Sequence, residues 1–357
     1  MTKNKSKVLV AMSGGVDSAA SATLLLQAGY EPVGVTMVLN RTADPLACGG
    51  GDEVRDAAAL AQSLGIEHMA VDYTAHFRTS VIDPFVRAYE AGETPNPCIL
   101  CNRTMKFGRL LALADELGCE KIATGHYARV RYEGESGKYQ LLRAKNEKKD
   151  QSYVLYFLSQ RELSRIVFPL GEFTSKDEVR AVVRGIREEH AEKKESQDIC
   201  FVPSGDYAAF IEGYTGKSYP HGDFIDIMGK RLGEHRGLIH YTVGQRKGLG
   251  LSLGAPMYVK EKSILDGTVT LATDAELYTS ECLVGKVSFV SGEMPTEPMR
   301  CTVKTRYSAR EVSATVQAAD GNGVYTVRFD TPVRAVTRGQ SAVFYSGELV
   351  IGGGKIL

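Results

Sequence analysis

The 357-residue sequence predicts an α/β protein in three parts. These are a parallel, doubly wound domain (residues 1–203), a small central connector domain (204–280) and a C-terminal antiparallel β-barrel (281–357). Three observations predict it. Through roughly the first 200 residues, short runs that are apolar along their length alternate with helix-forming segments, as in a parallel sheet covered on both faces. From Ser204 to Leu253 glycines are frequent and the pieces are short and irregular. From about Glu281 the chain turns to short alternating strands bounded by Gly, Pro, Asn or Asp, which is the signature of a small barrel or sandwich.

Taken in order, Lys7–Met12 (KVLVAM) reads as a buried strand, Ser13–Ser18 (SGGVDS) as a turn and Ala19–Ala28 as a helix. Pro32–Leu39 is a second buried strand, followed by a helical segment at Asp52–Leu64 and a strand around Glu67–Asp72. Arg103–Leu117 reads as a helix leading to the strand Lys121–Thr124. The late strands are KVSFV, MRCTVKTRY, EVSATVQAA, VYTVRF and SAVFYSGELVIGG.

Composition narrows the class. Hydrophobic residues make up 43% and charged residues 24%, ordinary for a folded protein. No apolar run approaches the ~20 residues of a membrane helix. The start MTKNKSKVLV lacks the apolar core of ~7–15 residues of a secretion signal, so a cytoplasmic protein without membrane partners is expected. The seven cysteines are Cys48, Cys98, Cys101, Cys119, Cys200, Cys282 and Cys301. An odd, scattered set is not a secreted disulfide framework, and most should be reduced. Acidic and basic residues both number 43. That excludes a protein coated in positive charge, though not a local basic groove. Residues 300–357 hold eight Lys/Arg and four Asp/Glu, an excess that suits phosphate contacts and equally an ordinary solvated surface.

Two patterns carry chemistry. SGGVDS lies between a buried strand and a helix, where loop and helix N–H groups can point at a phosphate and glycines allow close approach. Ser13 and Ser18 add hydroxyls, and Asp17 suggests either a bound Mg²⁺ or loop geometry. No GxxxxGK[ST] is present, so this is not a loop for γ-phosphate transfer. The plain alternative is a Gly-Gly turn with a serine cap. The second pattern is TPNPCILCNRTMKF, Thr94–Phe107, in which two prolines hold the approach to Cys98 and Cys101 extended. With a helix beginning near Asn102 and Arg103 and Lys106 close by, Cys101 is expected to favour the thiolate. Cys200 follows lysines in KKESQDICFVP. The inert reading suits Cys48, Cys119, Cys282 and Cys301, and a zinc site would need a second CxxC that the chain lacks.

The pieces AMSGGVDS, TPNPCILCNRTMKFG, IATGHYARV, NEKKDQSYVLYFL, KESQDICFVP, HYTVGQRKGLGL, MRCTVKTRY and GQSAVFYSGELVIGGG occur in this order along nearly the whole chain. They resemble the tRNA-specific 2-thiouridylases, bacterial and mitochondrial, of the N-type ATP pyrophosphatase superfamily. The resemblance implies that Ala11, Met12, Ser13, Gly14, Gly15, Val16, Asp17, Ser18, Met37 and Gly125 line an ATP site. It implies Cys101 as nucleophile and Cys200 as persulfide carrier, joined transiently as a disulfide. Asn96, Pro97 and Cys98 would surround the target base, and Lys149, Asp150, Gln151, Arg306 and Tyr307 would contact tRNA. Many family members have aspartate where this chain has Cys98. A third thiol leaves a two-cysteine mechanism intact, or lets Cys98, Cys101 and Cys200 hold a [4Fe–4S] cluster with an open iron.

The expected reaction is ATP- and Mg²⁺-dependent 2-thiolation of a wobble uridine, with sulfur from a persulfide donor such as a cysteine desulfurase or sulfur-relay protein. Two other readings stand beside it. An adenylating ligase, such as a GMP or argininosuccinate synthetase or a tRNA lysidine synthetase, has no use for a pair of reactive cysteines. A non-catalytic tRNA-binding relative has no use for an intact SGGVDS.

Overall fold

The computed structural model describes residues 6–40, 51–184, 199–202, 204–319 and 323–357. Cys48, and the lysines that precede Cys200, lie outside them.

The chain opens with β1 (Lys7–Ala11), α1 (Val16–Gln27), β2 (Glu31–Val38), α2 (Gly51–Leu64) and β3 (His68–Asp72). Next comes α3 (Thr74–Phe77), which passes through a π-helical stretch at Arg78–Ile82 into α4 (Asp83–Glu90). A second such composite joins α5 (Pro97–Cys101), π-helical Asn102–Arg109 and α6 (Leu110–Glu116), and leads to β4 (Lys121–Ala123). The hairpin β5 (Ala128–Glu133) and β6 (Lys138–Arg143) is next, then α7 (Gln160–Leu163), β7 (Ile166–Val167) and α8 (Lys176–Arg184).

Strands order as β3-β2-β1-β4-β7, all parallel. Val8, Leu9 and Val10 are fully buried, and their side chains alternate between two clusters: Leu9 in one, Val8 and Val10 in the other. Both faces of the sheet are therefore covered, as the uninterrupted apolar run predicts. Each such side chain contributes roughly 1.5–3 kcal/mol of burial free energy. β1 connects to β2 on one side while β4 lies on the other, so the carboxyl end of β1 faces the crevice where open α/β sheets hold ligands.

The glycine-rich centre is more regular than its sequence suggests. α9 (Tyr207–Thr215) is capped by Asp206, whose carboxylate accepts from Ala209 N at 3.0 Å. Strands β8 (Gly222–Ile225), β9 (Arg231–His235), β10 (Tyr258–Ser263) and β11 (Thr268–Ala272) order as β10-β11-β8-β9 around Phe224, Tyr241, Val259 and Leu271. Most of the glycines occupy turns, while Gly222 and Gly233 lie within strands, which breaks the alternation a sequence reading needs.

The last part comprises β12 (Tyr278–Phe289), β13 (Met299–Lys304), β14 (Val312–Ala318), β15 (Tyr325–Arg334), β16 (Ser341–Ser346) and β17 (Leu349–Ile356). Antiparallel pairing runs β12-β15-β14-β13-β16-β17 and closes through β12–β17, giving the expected barrel. The sheet also takes up the distant β5–β6 hairpin, through Leu142 opposite Leu349. No helix among the described residues is long and apolar enough to cross a membrane.

Candidate active site

The phosphate loop is built from β1 outward. Met12 N donates to Val35 O at 2.8 Å and Thr36 Oγ1 to Met12 O at 2.8 Å, fixing the end of β1 against β2. Gly14 then takes φ +71°, and a Cβ there would stand 3.0 Å from both Asp56 Cβ and Glu53 O. Only glycine meets both demands. Ser18 Oγ donates to Gly15 O at 2.9 Å and accepts from Ser13 N at 3.2 Å. Ser18 thus closes the loop on itself, and the groups left facing a ligand are the first-turn N–H groups of α1, which has no side-chain cap among the described residues. Uncapped N–H groups on a helix dipole suit an anion.

Asp17 has two partners that the sequence did not suggest. Tyr127 Oη donates to its Oδ1 at 2.7 Å, and Lys176 Nζ lies 2.6 Å from the same atom. Lys176 stands in the first turn of α8, where a helix dipole disfavours a cation by ~0.3–1 kcal/mol. That misplaced charge is the only sequence signal for it. Gly125 abuts the same aspartate: a Cβ would lie 3.0 Å from Asp17 Cβ and 3.1 Å from its carbonyl carbon. The ATGHYA segment therefore closes directly on the phosphate loop. Next to it His126 is buried and held neutral, its pKa pushed far down by burial and further by Lys106. Its Nδ1 pairs with Thr124 Oγ1 at 2.7 Å, and Lys106 Nζ stands 3.5 Å from Nε2.

The cysteine segment departs from the sequence reading at one point. Its helix starts at Pro97, not near Asn102: Asn96 is the N-cap, and its side chain accepts from Cys98 N at 3.1 Å. Asn followed by Pro is a strong start signal, with proline at the position that needs no N–H donor. The helix terminus therefore acts on exposed Cys98, and Cys101 lies a turn further in, 9% exposed. Cys101 belongs to the cluster of Phe77, Val81, Phe85 and Phe201, and Cys200 and Met37 pack against that same cluster. Two expected reactive thiols and an expected ATP-site residue, distant in sequence, thus share one hydrophobic wall. Among the described residues no three His, Cys, Asp or Glu side chains are grouped to hold a metal ion. On that measure Cys98, Cys101 and Cys200 do not form a ligand set for a cluster.

The remaining described cysteines are inert by environment. Burial raises Cys119, and it pushes Cys282 and Cys301 up to about 12.

The expected tRNA contacts gather from both ends of the chain, and several are already committed to the fold. Asp150 accepts from Ala144 N (3.0 Å), Ser152 N (3.2 Å) and Ser152 Oγ (2.7 Å), and its side chain is 6% exposed. Gln151 exchanges hydrogen bonds with the Tyr127 backbone at 2.9 and 3.0 Å, tying this turn to the partner of Asp17. Lys149 N donates to Asn146 O within that turn. From the barrel, Tyr307 Oη donates to Asp150 O at 3.1 Å. Burial, then the charges of Asp150 and Cys98, raise the Tyr307 phenol. Arg306 is half-buried, with Nη2 donating to Ala335 O at 2.9 Å and more weakly to Arg334 O at 3.4 Å.

Comparison with known proteins completes the picture. Residues 6–204 match the family described as tRNA methyl transferase HUP domain, residues 208–273 the tRNA methyl transferase PRC-barrel domain and residues 279–356 the aminomethyltransferase beta-barrel domain. A tRNA-specific 2-thiouridylase from Acetivibrio thermocellus is 45% identical, with 99% of each chain covered. One from Clostridioides difficile is 40% identical over 100% of this chain and 99% of that one. One from Treponema denticola is 42% identical over 98% and 97%. Among solved structures, a U34-tRNA thiolase from Methanococcus maripaludis with its [4Fe–4S] cluster overlaps 59% of this chain and 68% of that one, at 16% identity and a TM-score of 0.36. That likeness is too partial to bear on chemistry.

Proposed function

The chain belongs to the tRNA-specific 2-thiouridylase family, and from that premise we propose that it thiolates position 2 of a wobble uridine in tRNA, at the expense of ATP cleaved to AMP and pyrophosphate. The observation that carries this reading is the shared wall: Cys101 belongs to one hydrophobic cluster, and Cys200 and Met37 pack against that same cluster.

The chemistry is set by the leaving group. Uracil O2 leaves poorly, so it is first converted to an adenylate. The uncapped N–H groups of α1 receive phosphate oxygens, and Lys176, at 2.6 Å from Asp17, supplies the cation that a Walker lysine supplies elsewhere. Mg²⁺ accompanies ATP in such reactions, commonly held by phosphate oxygens with one or two carboxylates, and no step here depends on it. Sulfur reaches Cys200 as a persulfide from a donor protein. Either its terminal sulfur attacks C2, expelling AMP, and Cys101 then attacks the Cys200 sulfur to free the thiolated base; or Cys101 attacks first and releases hydrosulfide, which attacks C2. Both routes leave a Cys101–Cys200 disulfide that a thiol reductant must open. The target lies in a single-stranded loop, where extruding a base costs less than in a duplex. Reduced thiols, ATP and tRNA together imply a cytoplasmic setting.

The test is direct. The full chain, with ATP, a persulfide donor and an unmodified wobble-uridine tRNA, should yield 2-thiouridine at that position with AMP and pyrophosphate in equal amounts. Release of ADP and phosphate, or methyl incorporation from a methyl donor without thiolation, would overturn the reading.

A further inference from the structure

The residues between β15 and β16 form a strap pinned at both ends. At its start, Ala335 is buried with φ +52° and its carbonyl accepts from Arg306 Nη2 and from Thr337 Oγ1 (2.8 Å). At its end, Arg338 O accepts from Thr94 N at 2.9 Å, and Gln340 Nε2 donates to Thr94 O at 2.7 Å. Between them Gly339 (φ +92°) lies so close to the other chain segment that a Cβ would stand 2.9 Å from Glu93 Cβ. Lys355 adds an ion pair to Glu93 at 2.6 Å, and Ile356 holds the strap through Gly339 N (3.0 Å) and Gln340 O (2.8 Å).

Both backbone polar groups of Thr94 are thus taken by the barrel, while its buried hydroxyl has no hydrogen-bond partner among the described residues. Thr94 is placed from the barrel side. The next residues are stiff: Pro95 and Pro97 fix their own φ and restrict Thr94 and Asn96. A displacement of Thr94 is therefore carried to the Asn96 cap, and so to the helix bearing Cys98 and Cys101, instead of being absorbed on the way.

We propose that residues 335–340 are a positioning strap, through which the barrel surface around Arg306 sets the start of the cysteine helix. This rests on the reading of the chain as a tRNA thiolase. On it, the barrel completes the sulfur-transfer site as well as binding nucleic acid, and Gln340 is a positioning residue for Cys101.

The experiment uses Gln340→Glu, nearly isosteric, which replaces the donor facing Thr94 O with an acceptor. Three quantities are measured on the full chain: the single-turnover thiolation rate, the tRNA affinity, and the rate at which iodoacetamide labels Cys101, read by mass spectrometry. The rate should fall roughly ten- to a hundredfold, the scale of a small misplacement of reacting groups. Affinity should stay within about twofold, and Cys101 labelling should accelerate several-fold as the segment loosens. Wild-type rate and labelling would overturn the proposal, as would a rate loss matched by lost affinity. Should Gln340→Glu fail to fold, Gln340→Ala serves the same measurements. Absence of thiolation by the wild-type protein would instead sink the functional reading, and the labelling contrast would still decide whether the strap holds the cysteine helix.

Discussion

The phosphate loop and the cysteine segment are both turn-plus-helix structures, yet they are fixed in opposite ways. The loop is set largely by neighbours in sequence: Ser18 bonds Gly15 and Ser13, and Gly14 supplies the left-handed turn. The cysteine segment is capped locally by Asn96 but located by Arg338 and Gln340, the latter 246 residues from Thr94. A loop that must receive one small, invariant ligand can take its own shape from six residues, even though distant Tyr127 and Lys176 then hold its aspartate. A site that must meet a large substrate held elsewhere is tied to whatever holds that substrate.

The largest test of this contrast separates the two halves of the reaction. Asp17→Ala should abolish AMP and pyrophosphate formation and leave tRNA affinity nearly intact. Cys101→Ser or Cys200→Ser should abolish catalytic thiolation, by about a thousandfold or more, with the ATP site undisturbed. An Asp17→Ala protein releasing pyrophosphate at the normal rate, or a Cys200→Ser protein still turning over with a persulfide donor, would dissolve the distinction.

A smaller effect is expected at Arg306. Its replacement by alanine should weaken tRNA binding and reduce the slope of log affinity against log salt by about one. An unchanged affinity across a salt series would mean that its bonds to Arg334 and Ala335 are its whole role.

Cys98→Asp sharpens the comparison from the cysteine side. It should keep thiolation within about threefold of the natural rate, because the described residues gather no three-ligand metal group around these cysteines. Loss of turnover together with loss of iron-dependent absorbance in anaerobically purified protein would point to a cluster instead.

The smallest effect concerns the barrel thiols. With Cys282 and Cys301 raised to about 12, their thiolates are suppressed at pH 8 by roughly a thousandfold relative to an ordinary cysteine. Alkylation of the native protein at pH 8 should spare both. The same shift bears on stability. A thiol whose pKa is raised by folding contributes fully below its unfolded value near 8.5–9, and that contribution is lost as pH climbs towards 12. Urea unfolding at pH 8 and pH 10 would show it as a lower midpoint at the higher pH, and removing both thiols (Cys282→Ala with Cys301→Ala) should reduce the difference.

Legibility in the sequence divides along the same line. The parallel sheet was legible because β1 is buried on both faces and reads as unbroken VLV. The barrel was legible from alternation. The loop was legible because its determinants are contiguous. Lys176 and Tyr127 were not, since their meeting at Asp17 depends on how α8 and the ATGHYA segment fold against α1. The start of the cysteine helix is masked in the sequence because two prolines signal extended chain, although Asn96-Pro97 is also a cap. The β5–β6 hairpin is not legible in the sequence, because its pairing partner β17 lies some 200 residues away in the barrel.

That hairpin has a consequence for how the protein is made. Arg143 N donates to Glu348 O at 2.9 Å, and the Arg143 guanidinium to Gly347 O at 3.1 Å, across a separation of 204 residues for the latter pair. A ribosome adding about 5–20 residues per second leaves the hairpin without its partner for roughly 10–40 s. During that interval β6 presents an unpaired edge of the kind that invites association between nascent chains. The finished enzyme therefore depends on Gly347 and Glu348 being translated before its middle is safe, and truncation ahead of Gly347 should reduce soluble yield more than the loss of a surface strand alone would.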